Sequence, residues 1–214
     1  MDQPEHPTPP PAASASLVRA RARHAASLIV LRHDASGPSV LMGARGAGHR
    51  FMPNRLVFPG GRVDPGDLRF LPTHPLRPDT EAALRRSANP ALATALAVAA
   101  ARELEEETGL TIGDPPRLDQ LHYLCRAVTP PGQPIRFNAR FLAVGHDVVS
   151  GTLAGSGELE NLQYYSLDEA LAFDLAWVTR RVLEHLQGWL AMNEDERLAR
   201  ARFPVCRRKV WGYE

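Results

Sequence analysis

From Ala25 onward the chain alternates short apolar runs with clusters of turn-forming residues. AASLIVLR (25–32) and SVLMGAR (39–45) flank a stretch in which Asp34, Gly37 and Pro38 favour reversal, so a pair of strands is expected there. A third short run, Leu56 to Phe58, stops at Pro59-Gly60-Gly61, where backbone freedom replaces side-chain packing. Residues 62–89 contain Pro65, Pro72, Pro75 and Pro78 and read as irregular surface chain with one short helix over Glu81 to Arg86. The strongest helix signal follows. Asn89 is a cap, Pro90 suits the first helical position, the interior is rich in Ala, Leu and Glu, and Gly109 is the stop. Beyond it, Leu118 to Val128 and Ile135 to Gly145 read as strands around the turn Thr129-Pro130-Pro131-Gly132, and Leu162 to Tyr165 as a shorter strand. Asp168 is then the expected cap of a helix over Glu169 to Met192, carrying Leu171, Leu175, Val178, Val182, Leu186 and Leu190 as an apolar stripe. Residues 193–202 add a last short helix. Strands interleaved with two substantial helices predict an α+β fold, a mixed sheet covered by helices.

The first sixteen residues interrupt this pattern with five prolines among Ala and Ser, a composition that cannot bury apolar surface, so residues 1–20 are expected to be a tail and 21–214 one domain. A hydrophobic content of 44% over 214 residues suffices for a sizeable core. The charge, 25 basic against 24 acidic residues, gives no global field of the kind that coats nucleic acid or an anionic membrane. No apolar run reaches the roughly 18 residues of a membrane span, and the N-terminus has no apolar signal core. Cys125 and Cys206 supply neither a disulfide framework nor a closely spaced ligand pair, and the eight histidines lack the i, i+4 spacing of a zinc helix. A cytoplasmic protein acting on neither nucleic acid nor membrane is expected.

Candidate chemistry therefore has to be local. In Arg102 to Leu110 the carboxylates Glu103, Glu106 and Glu107 stand at i, i+3 and i+4, which places them on one helical face with Cβ atoms about 5–6 Å apart. Glu105 points elsewhere. An acidic helical turn by itself is usually a solvated face. Here it follows Arg102, ends at once in Gly109, and is preceded upstream by a Gly-Gly loop whose backbone can approach a phosphate or a metal. Hard divalent ions such as Mg²⁺ take oxygen ligands and bridge carboxylates to phosphates.

These residues resemble the box of the Nudix hydrolase family, G-x5-E-x7-R-E-U-x-E-E-x-G-U with U aliphatic. Residues Arg102 to Leu110 match its second half at every fixed position, and Gly61 aligns with its glycine. Asp67 stands where the family has Glu, and residues 68–101, 34 in number, replace the usual seven, an insertion of 27. Within the domain this gives a glycine loop at 58–67, an insertion at 68–94 and a box helix at 90–109. The resemblance extends over roughly residues 25–190. It implies an α/β/α sandwich and hydrolysis of a nucleoside diphosphate linked to another group, with Mg²⁺ or Mn²⁺ as cofactor. By position, Glu103, Glu106, Glu107 and the Gly60 carbonyl are the implied metal ligands. Glu103 and Glu106 are also the implied catalytic acids, oriented by Arg102, and Glu158, with Glu160 as its competitor, is an implied additional ligand or base.

The stretch 40–61, VLMGARGAGHRFMPNRLVFPGG, resembles the signature that precedes the box in coenzyme A diphosphatases, matching at Leu41, Arg45, Arg50, Phe58, Pro59, Gly60 and Gly61 and departing at Met42, Gly43, Gly46 and Asn54. The long insertion and TPPGQPIRFNARFLAV (129–144) resemble the same branch. Guanidinium forks suit the phosphates of coenzyme A, so Arg45, Arg50, Gly60 and Gly61 are the expected substrate-binding residues. Arg136 and Arg140 are alternatively strand residues paired with surface acids. Trp177 and Trp189 read as packing residues, Tyr164 or Tyr165 as flanks for an adenine, and Arg207-Arg208-Lys209 as a solvated basic tail. Two further readings stay open: a Nudix hydrolase of NADH, ADP-ribose or a nucleotide sugar, and a non-catalytic Nudix-fold nucleotide-binding regulator. A homodimer is compatible with the resemblance.

Overall fold

The computed structural model describes residues 20–35, 37–46 and 55–214. The expected tail, apart from Ala20, and Arg50 lie outside the described residues.

A nine-stranded mixed sheet forms the middle layer. It comprises β1 (Arg23–Asp34), β2 (Gly37–Arg45), β3 (Leu56–Val57), β4 (Gly60–Arg62), β6 (His122–Val128), β7 (Phe137–Gly145), β9 (Leu159–Ser166), β10 (Pro204–Arg207) and β11 (Val210–Tyr213), while β5 (Leu110–Thr111) and β8 (Ser150–Gly151) make a separate two-stranded ladder. The order is β11-β10-β6-β7-β1-β2-β3, with β4 added to β1 and β9 to β2. β1 runs parallel to β7 and antiparallel to β2 and β4. Because side chains alternate along a strand, β1 feeds two cores. Ala26, Leu28 and Val30 face helix α2 (Pro90–Thr108), whereas Ile29 and Leu31 face α3 (Leu167–Ala172) and α4 (Trp177–Leu190). A strand buried on both faces reads as a continuous apolar run, which is why 25–32 lacks polar alternation.

α2 forms as its sequence predicts. Asn89 Oδ1 accepts from the Leu92 N–H at 2.8 Å, and Gly109 ends the helix in the left-handed region at φ 70°. In the insertion, α1 (Pro78–Leu84) begins three residues before the expected start at Glu81, because Pro78 suits the first turn and Thr80 Oγ1 anchors it to the Leu121 carbonyl at 2.7 Å. Four further expectations are corrected. Leu118–Gln120 is a 3-10 turn, so the strand starts at His122. The single helix over 169–192 is two, because Ser166 and Glu169 close a reciprocal capping box that displaces Asp168 as cap, and the chain extends at Phe173 before α4. Arg207-Arg208-Lys209 is no solvated tail but the end of β10 and its turn into β11. Arg140 is fully buried and bonded to His24 Nδ1 and to the Asn138 and Ser87 carbonyls rather than to an acid, and Arg136 likewise bonds carbonyls, those of Ala20, Thr129 and Pro130. Burial, with the like charge of Arg126 added to it, holds the Arg140 pKa down, at about 10. Among the described residues, no helix is long and apolar enough to cross a membrane, and Cys125 and Cys206 are buried free thiols.

Candidate active site

The last two turns of α2 deliver its carboxylates to the glycine loop. Gly60 N–H donates to Glu107 Oε2 at 2.8 Å, fixing the loop to the helix. Gly61 lies against Glu103 so closely that a Cβ placed there would sit 2.3 Å from the carboxylate, which explains glycine at that position. Arg102 organises the rest. Its Nε and Nη2 grip Asp67 at 3.1 Å each, Nη1 donates to Glu103 and to Glu106 at 2.9 Å, and Nη2 also reaches the Arg62 carbonyl at 2.9 Å. Asp67 is 4% exposed, and its Oδ2 accepts the Asp64 N–H at 2.8 Å, so it ties the chain leaving the glycine loop to the box helix across the insertion. The network with Asp67 and Glu103 holds the Arg102 guanidinium pKa up.

Glu107 is 3% exposed, and desolvation lifts its carboxyl to about 7 against the downward pull of the Gly60 N–H and Arg45. Desolvation likewise raises Glu103, opposed by Arg102. The field of Glu158 acts on both. Glu158 arrives on the loop after β8, which is drawn over the helix end by the bond from Ala154 N–H to the Thr108 carbonyl at 2.9 Å. Glu160, by contrast, lies on β9 opposite Ala44 and away from the cavity. Glu105 is exposed, as its helical phase predicts.

These groups line a cavity of about 860 Å³, within the range of small-molecule sites. Its wall brings together Glu103, Glu106, Glu107, Glu158, Arg102, Arg45, Gly60 and Gly61. Glu103 and Glu107 are oxygen donors under desolvation, and a hard divalent ion takes oxygen ligands of that kind. Among the described residues, no three acidic, His or Cys side chains converge on one point as they stand. Glu103 and Glu106 are turned onto Arg102, so they would have to swing from it to share a cation.

Several wall residues were not legible as site residues in the sequence: Phe137, Phe141, Trp177, Cys206 and Lys209. Trp177 is 47% exposed and lines the cavity instead of only packing, whereas Trp189 is buried as expected. Tyr164 and Tyr165 are not in the wall. Tyr164 lies under Arg32 and beside His146, and Tyr165 packs on Phe173.

Residues 93–186 match the NUDIX domain profile. Among solved structures, a NUDIX hydrolase from Alicyclobacillus acidocaldarius is similar at 24% identity, with a TM-score of 0.61 over 84% of this chain and 96% of that one. A MutT NUDIX hydrolase from Burkholderia pseudomallei is similar at 20% identity and TM-score 0.51, covering 78% of this chain and 99% of its own. The NUDIX domain of Shewanella oneidensis NrtR, solved with ADP ribose, is similar at 13% identity and TM-score 0.52, covering 80% and 90%. No curated protein sequence matches the chain. The class defined by fold and site is the Nudix fold, with its mixed sheet between helices. Residues 93–186, which match the NUDIX profile, take in α2 from its fourth residue onward, and the glycine loop lies before them.

Proposed function

We propose that the protein is a divalent-metal-dependent pyrophosphohydrolase of nucleoside diphosphate derivatives, with coenzyme A or an acyl-coenzyme A as its substrate. The observation that carries the hydrolase reading is the meeting of Glu103, Glu106 and Glu107 with Gly60 and Gly61 in the wall of one large cavity. Glu103, Glu106, Glu107 and the Gly60 carbonyl would hold Mg²⁺ or Mn²⁺, which when bound screens the diphosphate and makes phosphorus open to attack by water. Arg102 holds Glu103 and Glu106 in register with the glycine loop, through bonds to both carboxylates and to the Arg62 carbonyl. Glu158, exposed on the loop after β8 and lining the same cavity, would take the proton of the attacking water. The coenzyme A reading is supported by the partial signature from Leu41 to Gly61, and by Arg45, which stands in the cavity wall where a phosphate would need a cation. The products would be 3′,5′-ADP and the (acyl)phosphopantetheine.

Purified protein with Mg²⁺ or Mn²⁺ is to be tested against coenzyme A, acyl-coenzyme A, NADH, ADP-ribose and diadenosine compounds. Coenzyme A is expected to have the highest kcat/KM. Preference for NADH or ADP-ribose would refute the substrate, and saturable binding without turnover of any compound would make the chain a binding domain instead.

A further inference from the structure

The cavity extends well beyond the carboxylates. Cross-strand registers place Cys206 beside Ala127, Ala127 beside Ala139, Ala139 beside Ala25 and Ala25 beside Arg62, and all five residues line the cavity. Four interstrand steps of about 4.8 Å make this floor roughly 19 Å long. It starts beside the glycine loop and ends at β10. From Cys206 to Ala25 its surface is a thin track of three alanine methyl groups and one thiol, ending at Arg62, and its walls include Phe58, Phe141, Phe137 and Trp177. Trp177 is held at the far end by Trp211 of β11, ring centroids 6.3 Å apart, and remains half exposed.

The far end closes on a cation. Arg207 pairs with Val210, so the hairpin turns through Arg208 and Lys209 alone, at φ 53° and 63°. Such a turn normally uses Asn-Gly, because both residues take the left-handed conformation. Here it is built from two long basic residues, and Lys209 lines the cavity. Lys209 is also the one lysine of the chain, beside 24 arginines. Strained non-glycine backbone at a cavity mouth is a recognised mark of function.

We infer that the alanine-floored trough receives an extended, largely apolar arm of the substrate, and that Lys209 binds a carboxylate at the end of that arm. Roughly 19 Å is the span of five to six extended peptide-length units. That matches the amide-linked arm of coenzyme A followed by a short acyl group, so the favoured substrates are acyl-coenzyme A thioesters of dicarboxylic acids. The inference rests on the coenzyme A reading above and adds its acyl specificity. An exposed ammonium and carboxylate attract modestly, so a three- to fivefold preference is the scale to look for, declining as salt is raised.

The test compares kcat/KM for succinyl-coenzyme A and butanoyl-coenzyme A, whose acyl groups have similar length and differ in terminal charge. The wild-type ratio should be about three to five at low salt. In Lys209→Ala it should fall to about one, and in Lys209→Glu below one, with the thermal midpoint confirming that each variant is folded. A wild-type ratio of one, or a preference that survives in Lys209→Ala, overturns the inference while leaving the coenzyme A reading standing. No turnover of coenzyme A or either thioester by the wild type overturns that reading and the inference with it.

Discussion

Glu107 is the carboxylate whose surroundings work hardest against its own charge, and replacing it with Gln separates stability from function. Its carboxyl is buried and lifted from the ordinary 4.5 to about 7, mainly by desolvation. At 1.36 kcal/mol per tenfold, that displacement amounts to about 3 kcal/mol. Below pH 4.5 the group is protonated whether the chain is folded or unfolded, so it contributes the same to both states. Between 4.5 and 7 the folded protein holds a proton that the unfolded chain has lost, and stability falls as pH rises. Above 7 the full penalty applies. Gln keeps an oxygen to accept the Gly60 N–H, now at 2.8 Å, and carries no charge at any pH. In EDTA, Glu107→Gln should therefore match the wild type near pH 4.5 and exceed it by about 3 kcal/mol at pH 8, a rise of roughly 6–12 °C in thermal midpoint for a domain of this size. Adding Mg²⁺ should stabilise the wild type at pH 8 and narrow the gap, while turnover of the variant should fall by at least about a hundredfold. Calorimetry at the two pH values measures the stability arm. A variant no more stable than wild type at pH 8 without metal would show that Glu107 is not an uncompensated buried charge.

Gly61→Ala puts a methyl group on the Glu103 carboxylate, whose flexible end can move aside. The thermal midpoint should change by no more than a few degrees while kcat falls at least about tenfold, and unchanged kcat would remove Glu103 from the reaction. Arg102→Met leaves Asp67, 4% exposed, without its partner and should cost about 3 kcal/mol by denaturant unfolding. Glu214→Ala breaks a pair in which Arg126 Nη1 lies 2.8 Å away and both side chains are about nine-tenths buried. Faster hydrogen exchange in β10 and β11 is expected, and unaltered protection there would mean that the strand ladder alone seats the hairpin.

What the sequence revealed depended on how local each determinant was. The box helix was legible end to end because its cap, its first proline and its terminal glycine lie within the segment itself, and the phase of Glu103, Glu106 and Glu107 follows from helical geometry. The break between α3 and α4 was hidden because the apolar stripe from Leu171 to Leu190 keeps its spacing across it. The signal was present in Ser166 and Glu169, three residues apart, and Asp168 competed with it. The far end of the cavity could not be read at all. Cys206, Ala127, Ala139 and Ala25 come together through a register shared by β10, β6, β7 and β1, a property of pairing between distant segments. The hairpin that carries Lys209 lacks the usual turn residues, so nothing local announced it. Arg140 misled for a related reason: buried arginines are rare, and this one is tolerated because carbonyls and a histidine ring from three separate segments meet its guanidinium.

The insertion shows why distance along the chain matters so little to this site. Measured against the seven residues of the box that the sequence resembles, the 34 residues between Asp67 and Arg102 cost about 1.4 kcal/mol more closure entropy, since the cost grows only with the logarithm of length. Part of that is offset where α1 docks through Thr80 onto the Leu121 carbonyl. The two-point grip of Arg102 on Asp67, shielded from water, is worth more than the remainder when broken on one side. Shortening the insertion between Phe70 and Ser87 to a brief linker should therefore leave the Asp67–Arg102 grip and turnover largely intact, although it removes the contacts of α1 with the core. Substituting Asp67 with the insertion untouched should do the reverse, loosening the glycine loop from the helix and lowering turnover. If the shortened chain folds but loses activity as completely as an Asp67 variant, the insertion itself takes part in the site and the Asp67–Arg102 grip is not what holds the two halves together.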